Sequence, residues 1–311
     1  MAHNNVQMQL ARTQEALKRE EQRLLALPNV VGVGVGYKET KGKELKDSVC
    51  VNVYVRQKVA PDALPPGSSV PGTLDDVKTD VREVGDIVAQ SYTARIRPAK
   101  PGYSIGHYKI TAGTFGCLVR DACGGCRIYI LSNNHVLANS NAAASGDPVL
   151  QPGRVDGGTY PKDLIARLTR FIPIRFNDPE KYNLIDAAIA TPVDQRDVIA
   201  SIVGLGIPKG SVEAKLGMPV QKSGRTTQTT SGKVIGIDAT IAVGYGTAGV
   251  AYFRNQILTT NLSQGGDSGS LLLDSENGAA TGLLFAGSSQ VTVHNAISNV
   301  LMALGVELVS A

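Results

Sequence analysis

A single carboxylate, Asp186, interrupts the otherwise apolar run Asn183-Leu184-Ile185-Asp186-Ala187-Ala188-Ile189-Ala190. Such a run belongs inside a folded chain. A carboxylate carried in with it must find a partner or bear a heavy desolvation cost. An imidazole would serve, and His135 is the candidate. It follows a strand-like run, Arg127 to Leu131, within the block Leu131-Ser132-Asn133-Asn134-His135-Val136. Far down the chain, Gly265-Gly266-Asp267-Ser268-Gly269-Ser270 sets a hydroxyl among glycines. Glycine and serine crowd ordinary turns, so that stretch says little alone. Together the three describe acyl transfer: a hydroxyl nucleophile, a base for its proton, and a buried acid that orients the base. The same chemistry needs two backbone N–H groups aimed at the developing oxyanion, on a chain free to take unusual dihedrals. The glycines around Ser268 supply that freedom.

The chain order is His135, Asp186, Ser268, the order of chymotrypsin-type sites rather than of subtilisin or the α/β-hydrolases. The blocks resemble the trypsin/chymotrypsin-fold serine peptidases over the stretch from Tyr103 to Leu308. Ser132-Asn133-Asn134-His135-Val136 matches the histidine block and Asp186-Ala187-Ala188-Ile189-Ala190 the aspartate block. Gly266-Asp267-Ser268-Gly269-Ser270 matches the serine block, in a form closer to bacterial glutamyl endopeptidases than to animal enzymes. More narrowly, the whole chain resembles bacterial relatives of the plant Narrow Leaf 1 type of trypsin-like peptidase. Ser104-Ile105-Gly106-His107, Thr111-Ala112-Gly113-Thr114 and Lys222-Ser223-Gly224-Arg225-Thr226-Thr227 carry that likeness.

The resemblance implies a serine endopeptidase acting on protein or peptide substrates without cofactor or metal. His135 would be general base and then acid, Asp186 its orienting partner, and Ser268 the nucleophile, with the N–H groups of Gly266 and Ser268 as oxyanion hole. It places the floor of the primary pocket at Leu262 and its wall at Phe285-Ala286-Gly287. An apolar floor predicts cleavage after an apolar or small residue. In the animal enzymes the aspartate matching Asp267 pairs with a newly cut N-terminus. No Ile-Val-Gly-Gly site is present here, so Asp267 is expected to find another partner. Asp156 beside Gly157-Gly158, and Asp163 after Pro161-Lys162, are rival acids whose loop contexts predict exposure. His107 and His294 lack the surrounding block and read as structural. Two other functions compete: a non-hydrolytic assembly or adaptor protein using the same fold to hold partners, and an esterase with the same triad.

The 311 residues predict two domains, or one double-barrel enzyme with an extension. The absence of tryptophan and the 34 glycines favour a β-rich, turn-rich body. Net charge is +4, without basic clusters, which argues against a nucleic-acid partner. No apolar run is long enough to span a membrane and no basic-then-apolar leader opens the chain, so a soluble cytoplasmic protein is expected. Val136 stands where the animal enzymes carry a cysteine, consistent with a reducing compartment. Cys123-Gly124-Gly125-Cys126 reads as a hairpin turn rather than a zinc or redox motif, because no second close ligand pair accompanies it.

The expected architecture is mainly β: a chymotrypsin-like double antiparallel barrel preceded by a small α/β domain with a leading helix. The predicted domains are 1–95 and 103–311, the latter ending in a short helix from Ala296 to Leu304, with Ile96 to Gly102 as linker. In the first domain, Gln9 to Leu27 reads as a helix with Leu10, Leu17, Leu24 and Leu25 near one stripe, a candidate contact for a homo-oligomer. Val30 to Tyr37 alternates valine with glycine, which predicts a strand whose glycine face lets another backbone element approach. Strands at Ser48 to Arg56 and Val77 to Val84 follow. From Thr114 onward the chain is a procession of short strands.

Overall fold

The computed structural model describes residues 2–40, 42–85, 92–122, 124 and 127–311. The chain forms two compact units, Met1–Gln90 and Ser91–Ala311.

In the first unit, α1 (Ala2–Leu25) is followed by β1 (Val30–Thr40), β2 (Lys43–Val55), β3 (Thr73–Leu74) and β4 (Val77–Glu83), in the sheet order β1-β2-β4-β3. Leu24 of α1 packs with Val51, Val53, Val55 and Leu74, and Leu17 borders the cluster. Leu25, expected on the same stripe, is exposed. A helix turns 100° per residue, so neighbours cannot share one narrow face. The glycine face of β1 is covered by side chains of the adjacent strand rather than by another backbone. A Cβ on Gly34 would stand 3.3 Å from the Tyr54 ring, and one on Gly36 would collide with Asn52. The stretch between the two expected strands is mostly ladder, with Lys38 opposite Leu45 and Thr40 opposite Lys43.

The second unit is a pair of curled sheets. The first takes β5 (Ser104–His107), β6 (Gly113–Thr114), β7 (Cys117–Asp121) and β8 (Ile128–Ser132), after which comes the one-turn helix α2 (Asn134–Leu137). It continues through β9 (Pro148–Leu150), β10 (Leu164–Phe171) and β11 (Ala188–Pro192). The second sheet takes β12 (Pro219–Gly224), β13 (Gln228–Gly244), β14 (Val250–Thr260), β15 (Leu271–Asp274), β16 (Ala280–Gly287) and β17 (Val291–Ala296). These six close into a barrel. Helix α3 (Ile297–Leu304) and strand β18 (Val306–Leu308) follow. β18 returns to the first sheet, pairing Val306 with Asp121 and Leu308 with Val119 of β7. β7 and β8 pair antiparallel as a hairpin; its expected turn at Cys123–Cys126 lies outside the described residues, Gly124 excepted.

Alternation explains the packing. Leu118, Ile130, Ala188 and Ala190 fill the inside of the first sheet. The intervening Cys117, Val119, Tyr129, Leu131 and Ile189 face a second core that they share with Leu271, Leu273 and Leu283 of the barrel and Val300 of α3. These strands are buried on both faces, so they read as nearly continuous apolar runs. The expected linker is part of this unit. Ile96 N–H donates to Gln151 Oε1 at 3.0 Å, and the buried Ala99 bridges to Val198. Among the described residues no helix is long and apolar enough to cross a membrane.

Candidate active site

His135 sits on α2, directly after β8. Asn134 fixes that turn: its Nδ2 donates to Ile172 O at 2.7 Å, and its Oδ1 accepts the Asn141 N–H at 3.0 Å. Asp186 lies in the loop entering β11 and is wholly buried. Main-chain bonds hold that loop from both sides. Asn133 Nδ2 donates to Asp186 O at 2.8 Å, and Asp186 N–H donates to Asn295 Oδ1 at 2.9 Å. Asn295 belongs to β17, so the barrel grips a loop of the first sheet.

The carboxylate meets the imidazole as the apolar context of Asp186 requires. His135 Nδ1 lies 2.5 Å from Asp186 Oδ2, and the His135 N–H donates to Oδ1 at 3.2 Å. A carboxylate accepts, so Nδ1 carries a proton, and in the neutral imidazole Nε2 is then the nitrogen with the lone pair. Nε2 bonds to no described residue. A third donor was not foreseen: Tyr245 Oη donates to Asp186 Oδ2 at 2.8 Å. Tyr245 stands between two glycines at the turn joining β13 and β14, and its ring meets His135 edge-on at 5.9 Å. Burial, reinforced by the neighbouring Asp186 charge, pushes its phenol far above the ordinary range.

Ser268 lies in the loop between β14 and β15, where Gly266 and Gly269 adopt φ of +98° and +96°. Thr114 of β6 anchors this loop across the two sheets. Its N–H donates to Ser268 O at 2.8 Å and its hydroxyl to Gly266 O at 2.9 Å. The N–H groups of Gly266 and Ser268 bond to no described residue, whereas those of Asp267, Gly269 and Ser270 are all engaged. Ser268 and Val136, the residue after His135, flank the same point on β6: a Cβ on Gly113 would collide with Val136 and reach Ser268 O at 3.0 Å. No hydrogen bond joins His135 and Ser268 directly.

Asp267 is buried and fully engaged. Its carboxylate accepts from the N–H groups of Thr226 at 2.8 Å, Thr227 at 3.1 Å and Gln264 at 3.0 Å, and from Thr227 Oγ1 at 2.6 Å. Lys222 Nζ completes the set at 3.2 Å from Oδ2. The block Lys222 to Thr227, singled out in the sequence, is therefore the collar around Asp267.

A cavity of about 450 Å³ opens beside Ser268. Asn261, Ser263, Gln264, Ala286, Gly287 and Ser288 are among its walls, and no carboxylate is. Of the residues expected to shape the primary pocket, Ala286 and Gly287 line this cavity. Leu262 and Phe285 do not. Leu262 packs in the barrel core with Val220, Val234 and Leu272, and Phe285 packs against Phe253. Side chains alternate along a strand, so a one-residue change of register exchanges wall for core. The rival acids are also inside, not exposed. Asp156 binds Arg225 and accepts from Ser104 Oγ at 2.5 Å, while Asp163 accepts from Arg95 Nε at 2.9 Å. His107 is buried with its Nε2 3.0 Å from Asp147, and His294 is buried against Thr259 at 3.0 Å. Neither approaches the site's carboxylate.

The double-barrel fold is shared with bacterial serine proteases of the chymotrypsin type. Thermobifida fusca Protease A aligns with a TM-score of 0.50 at 20% identity, over 68% of this chain and 100% of its own. Cellulomonas bogoriensis chymotrypsin aligns at 0.48 with 17% identity, over 68% of this chain and 100% of its own. Nocardiopsis protease aligns at 0.48 with 18% identity, over 68% and 99%. At 20% identity the likeness to Thermobifida fusca Protease A establishes the fold alone. No protein-family description matches the chain, and no curated protein matches it.

Proposed function

We propose that the chain is a serine endopeptidase that hydrolyses peptide bonds through an acyl-enzyme. Ser268 is the nucleophile, His135 takes its proton and returns it to the leaving amine, and Asp186 holds the imidazole and steadies its charged form. The observation that carries the reading is the bond from His135 Nδ1 to the buried Asp186, which leaves Nε2 as the available base. The disengaged N–H groups of Gly266 and Ser268 support it, since an oxyanion hole needs donors not already spent on the protein. Base and nucleophile need not be bonded without substrate, because such contacts commonly tighten in the Michaelis complex.

The reading extends to specificity. Asn261, Ser263 and Gln264 give the cavity beside Ser268 a neutral polar lining, to which Ala286 also contributes, with no carboxylate to receive lysine or arginine. We assign the cavity to an uncharged residue preceding the scissile bond, of apolar or small type. The closer kinship to the Narrow Leaf 1 type rests on the Ser104, Thr111 and Lys222 blocks; of these, the Lys222 block collars Asp267.

A fluorophosphonate probe tests the reading, followed by peptide-library cleavage. Labelling and cleavage by the wild-type chain, both lost in Ser268→Ala, are expected. No labelling at any pH would overturn the proposal and favour a non-hydrolytic binding protein.

A further inference from the structure

We propose that Tyr245 is a positioning residue of this site, a hydroxyl donor that shares the Asp186 carboxylate with His135 and thereby sets the basicity of the imidazole. The inference rests on the peptidase reading above and adds a residue that neither the sequence blocks nor the fold supplies.

The sharing is literal. Tyr245 Oη and His135 Nδ1 converge on the same oxygen, Asp186 Oδ2, at 2.8 and 2.5 Å, while Oδ1 takes the His135 N–H at 3.2 Å. No lysine or arginine among the described residues forms an ion pair with Asp186; its salt-bridge partner is His135. The carboxylate charge is therefore divided among the imidazole, one amide and the phenol. The titratable groups facing His135 are Asp186 and Tyr245, and the charge acting on Tyr245 is that of Asp186.

The phenol is built to stay where it is. Its ring is edge-on to Phe176 at 5.4 Å and stacked on Phe253 at 6.3 Å, and it meets His135 edge-on. Its own N–H donates to Gly249 O at 2.8 Å, closing a turn in which Gly246 and Gly249 take φ of +57° and +108°. Burial keeps the hydroxyl protonated, so it remains a donor throughout the working range.

The consequence for His135 has a definite sign. An unshared carboxylate favours imidazolium strongly, because a nearby opposite charge raises a histidine pKa. A donor on the same oxygen stabilises the carboxylate and weakens that pull. In this arrangement Tyr245 moderates the pull of Asp186 on the imidazole, and it also limits rotation of the carboxylate.

Tyr245→Phe keeps the ring and removes the donor. Two readouts apply: the pH dependence of fluorophosphonate labelling, and an NMR titration of His135 with its low-field Nδ1 proton. The inflection is expected to move up by about half to one pH unit, a three- to tenfold change in the protonation equilibrium, with displacement of the Nδ1 resonance. An unmoved inflection and resonance would overturn the proposal and leave Tyr245 as core packing. Phe176→Leu loosens the same ring cluster but retains the hydroxyl, and should lower the melting temperature without moving the inflection. Should Tyr245→Phe not fold, 3,5-difluorotyrosine at 245 is a stronger donor of the same shape and must move the inflection down; an unmoved inflection there overturns the proposal too. If the wild type is never labelled, the peptidase reading fails. The His135 titration still decides the role of Tyr245.

Discussion

Lys222 and Asp267 face each other with neither side chain exposed to solvent, Nζ standing 3.2 Å from Oδ2. Asp267 immediately precedes Ser268, so this pair fixes the backbone that carries the proposed nucleophile. Burial pulls the Lys222 ammonium below its ordinary range and the Asp267 charge opposes that pull. The ammonium thus occupies the place that the resemblance gave to a newly cut N-terminus.

Removing one member of this pair strands a charge in the interior. Lys222→Met is expected to cost about 3–5 kcal/mol in chemical denaturation. Lys222→Met with Asp267→Leu should recover much of that stability, since no charge is then left alone. Labelling of Ser268 should not return in the double variant, because the four amide and hydroxyl donors around Asp267 would have lost their acceptor.

Asp156 and Arg225 tie a loop of the first sheet to the turn between β12 and β13. The carboxylate side chain is only 6% exposed. Asp156→Ala should destabilise by about 3 kcal/mol, the lower end for a broken buried pair. Labelling should slow as well, because Arg225 N–H also donates to Thr114 Oγ1 at 3.0 Å, the hydroxyl that holds Gly266 O. Unchanged melting and labelling would show the tie to be inert.

His294 gives the fold an acid limit. Burial, aided by Lys222, pushes its pKa down to about 3 from 6.5. Between those values the unfolded chain binds the proton and the folded chain does not, so stability rises with pH across that window and is lost as pH falls through it. Wild type and His294→Gln should differ most above pH 6.5, with the wild-type advantage shrinking by on the order of several kcal/mol toward pH 3. Melting temperatures measured over that range decide it.

Gly269→Ala would place a methyl group against Ser132 Oγ and Thr114 O on a residue at φ +96°. The left-handed backbone alone costs about 1–3 kcal/mol. The collision falls on the strand contact that positions Ser268, so labelling should be lost even at temperatures where circular dichroism still reports a folded chain.

His135 and Asp186 were legible because their residue types are unusual in their surroundings: a carboxylate inside an apolar run calls for a basic partner wherever the fold supplies one. Their companions were not. Tyr245 and Asn295 come from a turn and a strand remote in sequence, and only sheet closure brings them to Asp186; Lys222 stood out with its block, but not its pairing with Asp267. Leu262 and Phe285 pack in the barrel core while their neighbours Asn261, Ser263 and Ala286 line the cavity, a distinction of one residue that a resemblance does not resolve. Asp156 and Asp163 sit in glycine- and proline-rich loops that look solvent-facing, and nothing local announces the arginines that reach them. The strand succession was readable from β-prone runs between turn residues, but β18 escaped notice because three residues carry too little pattern.

The return of β18 to β7 has a consequence for how the molecule comes into being. The earlier half of the second unit borrows its outermost strand from residues made after the whole closed barrel. On a ribosome, that half must wait, one flank unpaired, until the later half has emerged. The earlier half therefore acquires its last strand only after the later half has been made.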